Sequence, residues 1–216
     1  MGLNLTIPHK TAVLSIARRL DESARKFGAA NTLKFFPDGS TVAYNTDVTG
    51  YLSCLKSHGV TLSGKHVCIL GCGGAGGALA KASAYEGAAE LCVTARRPES
   101  MQRLSDELNA LGLPATIRCV RLDDIQTFRN ADIIVNATPV GLKPDDPSVL
   151  PAEAFRPGQF VLDIIPTKKF PPTAALASSA GAIAVDGLEF LVEQAAKAFE
   201  IWTGLEADRQ AMRAAL

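Results

Sequence analysis

Lys10 and Asp47 have the chemistry of a proton-transferring pair, provided the fold brings them together. Lys10 follows His9 at the start of a helical stretch, directly after a strand-like run. Asp47 follows Asn45-Thr46 and opens another helix. Burial favours a neutral amine and a neighbouring carboxylate favours the ammonium, so such a pair can be poised for general acid–base work. Spacing alone leaves a second reading open, a solvated lysine and a helix-capping aspartate.

The stretch Leu70-Gly71-Cys72-Gly73-Gly74-Ala75-Gly76-Gly77-Ala78 follows an apolar run and precedes the helix-forming Leu79-Ala80-Lys81-Ala82. A strand that ends in glycines and turns into a helix leaves bare backbone N–H groups. With the positive end of the helix dipole, they form a cradle for a pyrophosphate. Gly71 permits the tight turn, Gly73 lets phosphates approach the main chain, and Gly76 or Gly77 lets helix and strand pack closely. Gly71, Cys72, Gly73, Gly74 and Ala75 are thus candidate cofactor-binding residues. The alternative is a glycine-rich turn that binds nothing.

The end of the next strand bears on which nucleotide fits. It reads Val93-Thr94-Ala95-Arg96-Arg97, with no acid before Glu99. An Asp or Glu there would hold the ribose hydroxyls of NAD and repel a phosphate. Arg96 can instead grip the 2′-phosphate of NADP with charge-assisted hydrogen bonds, which favours NADP. Arg96 and Arg97 can also be read as solvated loop charges.

These residues need a scaffold, and the pattern supplies one. From about Asp47, strand-like and helix-like segments alternate, which favours a parallel α/β sheet. Candidate strands are 65–70, 90–95, 117–120, 132–136, 160–164 and 183–185; candidate helices are 47–56, 75–86, 98–111 and 172–179. Residues 142–157 are rich in Pro and Asp and read as an irregular loop. Ahead of Asp47, residues 2–7 read as a strand and Pro8 opens a helix running to about Leu20. Runs 32–36 and 41–44 pair around Pro37-Asp38-Gly39. At the other end, Asp186 reads as an N-cap, Leu188, Leu191, Ala195, Phe199 and Trp202 recur at helical spacing, and Gly204 ends the helix. The expectation is a Rossmann-like, doubly wound parallel sheet (47–186) inserted in a smaller α/β lobe (1–46 plus 187–216), with a substrate cleft between them.

Bulk properties exclude several classes. The chain has 216 residues and 47% apolar content, enough for a sizeable core. Lys+Arg and Asp+Glu are both 22, which favours neither nucleic acid nor a membrane surface as partner. No apolar run reaches the ~18 residues of a membrane helix. The N-terminus lacks the basic and apolar regions of a secretory signal. Five cysteines without a CxxC pair, beside three histidines, give no zinc ligand set, so no metal is expected. Free thiols suit a reducing, cytoplasmic compartment.

Five motifs together resemble the shikimate dehydrogenase family. They are Gly2-Leu3-Asn4-Leu5-Thr6-Ile7-Pro8-His9-Lys10 with Ala30-Asn31-Thr32-Leu33, Asn45-Thr46-Asp47-Val48-Thr49-Gly50, the glycine turn, Asn136-Ala137-Thr138-Pro139-Val140-Gly141, and Asp186-Gly187 through Ala195. The resemblance implies reversible, NADP-dependent reduction of 3-dehydroshikimate to shikimate, on the way to aromatic amino acids. It implies Lys10 as catalytic lysine with Asp47 as its partner, Asn31 on a ring hydroxyl or carbonyl of the substrate and Thr6 beside the substrate carboxylate. Gln194 would contact the substrate, and Thr138 and Gly187 would join Arg96 and Arg97 at the cofactor. The protein is expected to act on a small molecule as a monomer or homodimer.

Three departures stand against that pattern. Ala95 and Arg97 occupy positions where the family has Asn and Thr. Pro166, in Asp163-Ile164-Ile165-Pro166-Thr167-Lys168-Lys169-Phe170-Pro171-Pro172, stands where a Tyr is usual. The resemblance also begins at the family's second motif, without the opening βαβ unit whose serine pair holds the substrate carboxylate. Loss of that unit is expected to expose sheet edge and apolar surface in the small lobe. These departures leave two alternatives: a quinate-active or NAD-using paralogue, and a catalytically weak nucleotide-binding relative.

Overall fold

Two sheets divide the chain, and their burial patterns explain why. The computed structural model describes residues 1–143, 145–167 and 169–216. Pro144, within the expected 142–157 loop, and Lys168 lie outside the described residues. The first segment runs β1 (Gly2–Asn4), α1 (His9–Ala12), β2 (Arg19–Leu20), α2 (Glu22–Phe27), β3 (Thr32–Phe35) and β4 (Thr41–Tyr44). Its strands form a sheet in the order β1-β3-β4-β2, in which β3 and β4 pair antiparallel around the Pro37-Asp38-Gly39 turn. Val13, Ala24, Ala30, Leu33 and Ala43 form a small core, while Leu3, Ile7 and Ile16 are exposed.

The helix expected over 8–20 is not continuous. It stops after one turn at Ala12 and passes through a 3₁₀ turn at Val13–Ser15. Outside partners then take the chain's hydrogen-bonding groups: Arg18 N–H donates to Thr41 Oγ1, and Arg19–Leu20 pair with Val42 and Ala43 of β4. Local helical pattern thus yields to an available sheet edge. Asp21 caps α2 by accepting from the Ser23 N–H, and Gly28 closes it in the left-handed conformation. No element is expected there from the sequence pattern, although that Asp–Gly bracket is an available signal for α2.

The second segment follows the alternating pattern: α3 (Asp47–Ser57), β5 (His66–Leu70), α4 (Gly74–Tyr85), β6 (Glu90–Thr94), α5 (Pro98–Asn109), β7 (Thr116–Cys119), α6 (Ile125–Asn130), β8 (Ile133–Asn136), β9 (Phe160–Asp163), α7 (Pro172–Ser179) and β10 (Ile183–Val185). The six strands are parallel in the order β10-β9-β8-β5-β6-β7. Alternate residues along β5 serve opposite faces: Val67 and Ile69 join Tyr51, Leu55, Leu79 and Leu108, whereas Cys68 and Leu70 join Phe128, Phe155 and Ala177. The sheet is therefore covered on both faces, as the doubly wound reading requires. α8 (Gly187–Thr203) and α9 (Arg209–Ala214) follow. Asp186 caps α8 by accepting from the Leu188 N–H, and Gly204 ends it. The six-residue helices α6 and α9, each capped by an aspartate, are too short to leave a clear periodicity.

The close packing of α4 on β5 falls to one glycine. A Cβ added at Gly76 would collide with the Gly71 carbonyl oxygen, whereas one at Gly77 would meet only Leu104 Cδ1 at an ordinary 3.5 Å. Gly76→Ala is expected to destabilise the fold by about 1–3 kcal/mol through overpacking. Gly77→Ala should leave stability unchanged or raise it by up to ~1 kcal/mol through helix propensity. Urea unfolding midpoints of the two variants check this contrast.

Candidate active site

The strand order reverses between β5 and β8, and in open parallel sheets ligands bind outside the carboxyl ends of the strands at such a point. The glycine turn lies there. Gly71 has φ +104°, and an added Cβ would approach the Ala137 carbonyl oxygen to 2.9 Å. A side chain is therefore excluded on both counts. The first intrahelical bond of α4 runs from the Gly77 N–H to the Gly73 carbonyl, so the N–H groups of Gly74, Ala75 and Gly76 lack helical acceptors. Nothing lies within 4 Å of a Cβ built at Gly73, which leaves backbone open to a ligand. Cys72 turns back, its thiol reaching the Thr94 carbonyl at 3.6 Å, and burial pushes that thiol up to about 12.

Register places Thr94, Leu70, Asn136 and Asp163 in one row across the carboxyl ends of β6, β5, β8 and β9. Among the described residues the Thr94 hydroxyl is buried without a partner, which suits a site completed by a ligand. Together with the glycine cradle and the exposed Arg96 and Arg97, it fits a phosphorylated dinucleotide. Asn136 Nδ2 donates to Asp163 Oδ2 at 3.0 Å, and its Oδ1 accepts from the Thr138 N–H and hydroxyl at 3.0 and 2.7 Å. The Ile165 N–H donates to Asp163 Oδ1. Burial outweighs these hydrogen bonds and raises the Asp163 carboxyl to about 6.

Facing the turn is a polar cluster built by four separate segments. Lys10 Nζ donates to Asp47 Oδ2 at 2.6 Å; the side chains are 15% and 3% exposed. Asn31 Nδ2 lies 3.0 Å from Asp47 Oδ1, 3.0 Å from Gln194 Oε1 and 2.9 Å from Thr46 Oγ1. The Thr46 N–H donates to Asn31 Oδ1 at 2.7 Å, fixing the amide's orientation. Thr46 holds the N-cap position of α3, and the Asn45 side chain just ahead of it accepts from the Val48 N–H at 3.1 Å in the capping role, so Asp47 is not the cap. Its carboxylate is left for Lys10 and Asn31, at the positive end of α3. The stem of Lys10 rests on the nucleotide turn: a Cβ at Gly74 would lie 2.9 Å from Lys10 Cβ.

The remaining sequence candidates sit as follows. Thr6 is exposed in the turn before α1, its carbonyl accepting from the His9 N–H. Arg97 forms the N-cap position of α5, and neither it nor Arg96 enters an ion pair among the described residues. Gly187 is buried where an added Cβ would come within 2.5–2.6 Å of the Ile164–Ile165 backbone, so it lets α8 abut the end of β9. Pro166 is exposed beside it. Sequence reasoning left Thr46, Thr94, Asn136 and Asp163 without individual roles. For Thr94, Asn136 and Asp163 the available signal was a polar residue closing an apolar strand.

A doubly wound sheet whose glycine turn faces a lysine–carboxylate pair defines the class: a dinucleotide-dependent dehydrogenase. Comparison with known proteins narrows it. A family model described as the shikimate dehydrogenase substrate binding domain matches residues 1–33, and one described as the shikimate 5′-dehydrogenase C-terminal domain matches residues 187–216. A third, described as NADP oxidoreductase, coenzyme F420-dependent, matches residues 66–167. A shikimate dehydrogenase (NADP(+)) of Methanopyrus kandleri is 38% identical over 224 residues, covering 100% of this chain and 76% of the relative. The crystal structure of a Thermus thermophilus shikimate 5-dehydrogenase in complex with NADP(H) and shikimate superposes with a TM-score of 0.84 at 33% identity, covering 99% and 77% of the two chains. That of a Listeria monocytogenes shikimate 5-dehydrogenase in complex with shikimate and NAD gives 0.87 at 29%, covering 99% and 76%. The chain belongs to the shikimate dehydrogenase family.

Because the Asp163 carboxyl is raised from 3.8 to about 6, the folded state holds a proton that the unfolded state has released between those values. Its contribution to stability is present below pH ~4 and lost as pH rises through ~6. Asp163→Asn should flatten that part of the stability–pH profile. It should also cost about 1–3 kcal/mol, because in either orientation the amide nitrogen then faces an N–H donor, Asn136 Nδ2 or the Ile165 N–H. Thermal unfolding of both proteins across pH 4–7 tests this.

Proposed function

We propose that this chain catalyses the reversible NADP-dependent reduction of 3-dehydroshikimate to shikimate. The observation that carries this reading is the buried Lys10–Asp47 pair at 2.6 Å, set against Gly74 at the head of the nucleotide turn. The names of the curated relatives favour the same substrate and cofactor. NADP, when bound, supplies the hydride or accepts it. In reduction, the Lys10 ammonium gives a proton to the carbonyl oxygen on C3 as C3 gains hydride. In oxidation, the amine takes the 3-hydroxyl proton back. Asp47 holds Lys10 Nζ in place by accepting its hydrogen bond at 2.6 Å.

Asn31 is the proposed contact to a hydroxyl or carbonyl on the substrate ring, Gln194 also contacts the substrate, and Thr6 sits beside the substrate carboxylate. Gly71 to Ala75, Thr138 and Gly187 line the cofactor, with Arg96 and Arg97 on its 2′-phosphate. Residues 1–46 with 187–216 form the substrate lobe, and residues 47–186 the nucleotide lobe. Among the described residues no helix is long and apolar enough to cross a membrane. The five free thiols support a cytoplasmic setting.

Purified protein is expected to oxidise shikimate with NADP in preference to quinate or NAD. Lys10→Ala should lower kcat by about 10²–10⁴-fold, the usual worth of a general acid–base, while NADP still binds. Retained turnover in the variant would remove the role assigned to Lys10. Arg96→Ala should raise KM for NADP by about 10–100-fold, as a lost charge-assisted contact does, with little change for NAD. Steady-state kinetics with both cofactors decide it.

A further inference from the structure

Where the end of α3 meets the start of α8, three side chains of different ligating character converge. Cys54 Sγ, a His58 ring nitrogen and a Glu189 carboxylate oxygen all lie within 4.8 Å of one another, and His58 Nδ1 is 3.8 Å from Glu189 Oε2. We propose that this triad binds one thiophilic divalent cation of the zinc class, which cross-links α3 to α8.

The donor spacing carries the proposal. Zinc–ligand bonds of 2.0–2.3 Å in a tetrahedron set donor–donor edges of about 3.3–3.6 Å. The three atoms therefore need only small side-chain rotations to close on an ion. Cys54 lies in the last turn of α3 and His58 is the residue that caps its C-terminal end, while Glu189 comes from the opposing first turn of α8. A thiol, an imidazole and a carboxylate together suit zinc, cadmium or cobalt, and not the hard cations magnesium and calcium.

The surroundings are built for a cation as well. Ser57 Oγ donates to Glu189 Oε1 at 2.5 Å, so it orients that ligand. Beside Glu189, the carboxylates of Asp186 and Glu193 add negative charge around the Cys54 thiol. The same negative field lowers the free energy of an incoming cation. Cys54 is buried, whereas His58 and Glu189 are 30% and 21% exposed, so the ion enters from their side. Binding releases the thiol proton to solvent. It also replaces the contact of His58 Nδ1 with the Cys54 carbonyl, moving the ring proton to Nε2. Water fills the fourth position.

The site lies outside the acid–base cluster yet on the same two helices. Cys54 is two helical turns beyond Asp47, ~10 Å along α3 at 1.5 Å per residue. Glu189 precedes Gln194 on α8. A bound ion would fix the mutual position of these helices without touching Lys10.

The test uses the purified, reduced full chain titrated with Co²⁺ and, separately, with Zn²⁺ against a chromophoric chelator. The expected result is one equivalent bound, a near-ultraviolet thiolate-to-cobalt band, and a zinc-dependent rise in Tm. Cys54→Ser should abolish the band, and Ser57→Ala should weaken binding about tenfold. His58→Ala and Glu189→Gln, at partly exposed positions, keep the test valid if Cys54→Ser does not fold. Each should remove the zinc-dependent rise in Tm. Absence of the band in the native chain overturns the proposal. So does its persistence in Cys54→Ser, which would mean binding at another thiol such as the exposed Cys119.

Discussion

A carboxylate sealed from water must find a cation and hydrogen-bond donors within reach, and at Asp47 that requirement organises the molecule. Its two oxygens are met by Lys10 and Asn31, from segments that precede it in sequence by 37 and 16 residues. Asn31 in turn reaches Gln194, 163 residues further along. An uncompensated buried charge is among the most destabilising defects a fold can carry. The early segment, α3 and α8 are therefore bound into one arrangement, and the amine that offsets the charge is also the group available for proton transfer. Stability and chemistry draw on the same contact.

Backbone proximity imposes a second constraint. Gly71, Gly74, Gly76 and Gly187 each occupy a place where a Cβ would strike main chain or the Lys10 stem. Three of them bring the nucleotide turn against its own strand, the β8 loop and Lys10. The fourth seats the start of α8 on the end of β9. With side chains excluded, the open N–H groups of α4 and the row from Thr94 to Asp163 lie beside the acid–base pair. A dinucleotide and a small polyhydroxylated acid can then meet at one place.

Much of this was legible in the chain itself. Alternation of apolar strands with helices fixed the parallel sheet, because strands covered on both faces carry little polar residue. Asp186 and Gly204 marked both ends of α8 by capping chemistry. The stretch after Pro8 was the failure. Its apolar spacing suits a helix, but Arg19 and Leu20 had a sheet edge within reach, and nothing local to them reveals that edge. Asp47 showed the opposite ambiguity. At a helix start it could cap or pair, and only the neighbouring Asn45 side chain, by taking the capping role, released it.

The sequence by itself determined the class of fold, the position of the glycine turn and the residues of the family's motifs, since these depend on periodicity, glycine sterics and local capping. Tertiary structure alone decided which candidates meet. It joined Lys10 to Asp47 and Asn31 to Gln194, chose Gly76 over Gly77 as the close contact, and gathered Cys54, His58 and Glu189 at one helix junction. Each of those outcomes is a distance between segments far apart in the chain. Such distances are set by how helices and sheets pack, and no spacing along the sequence encodes them.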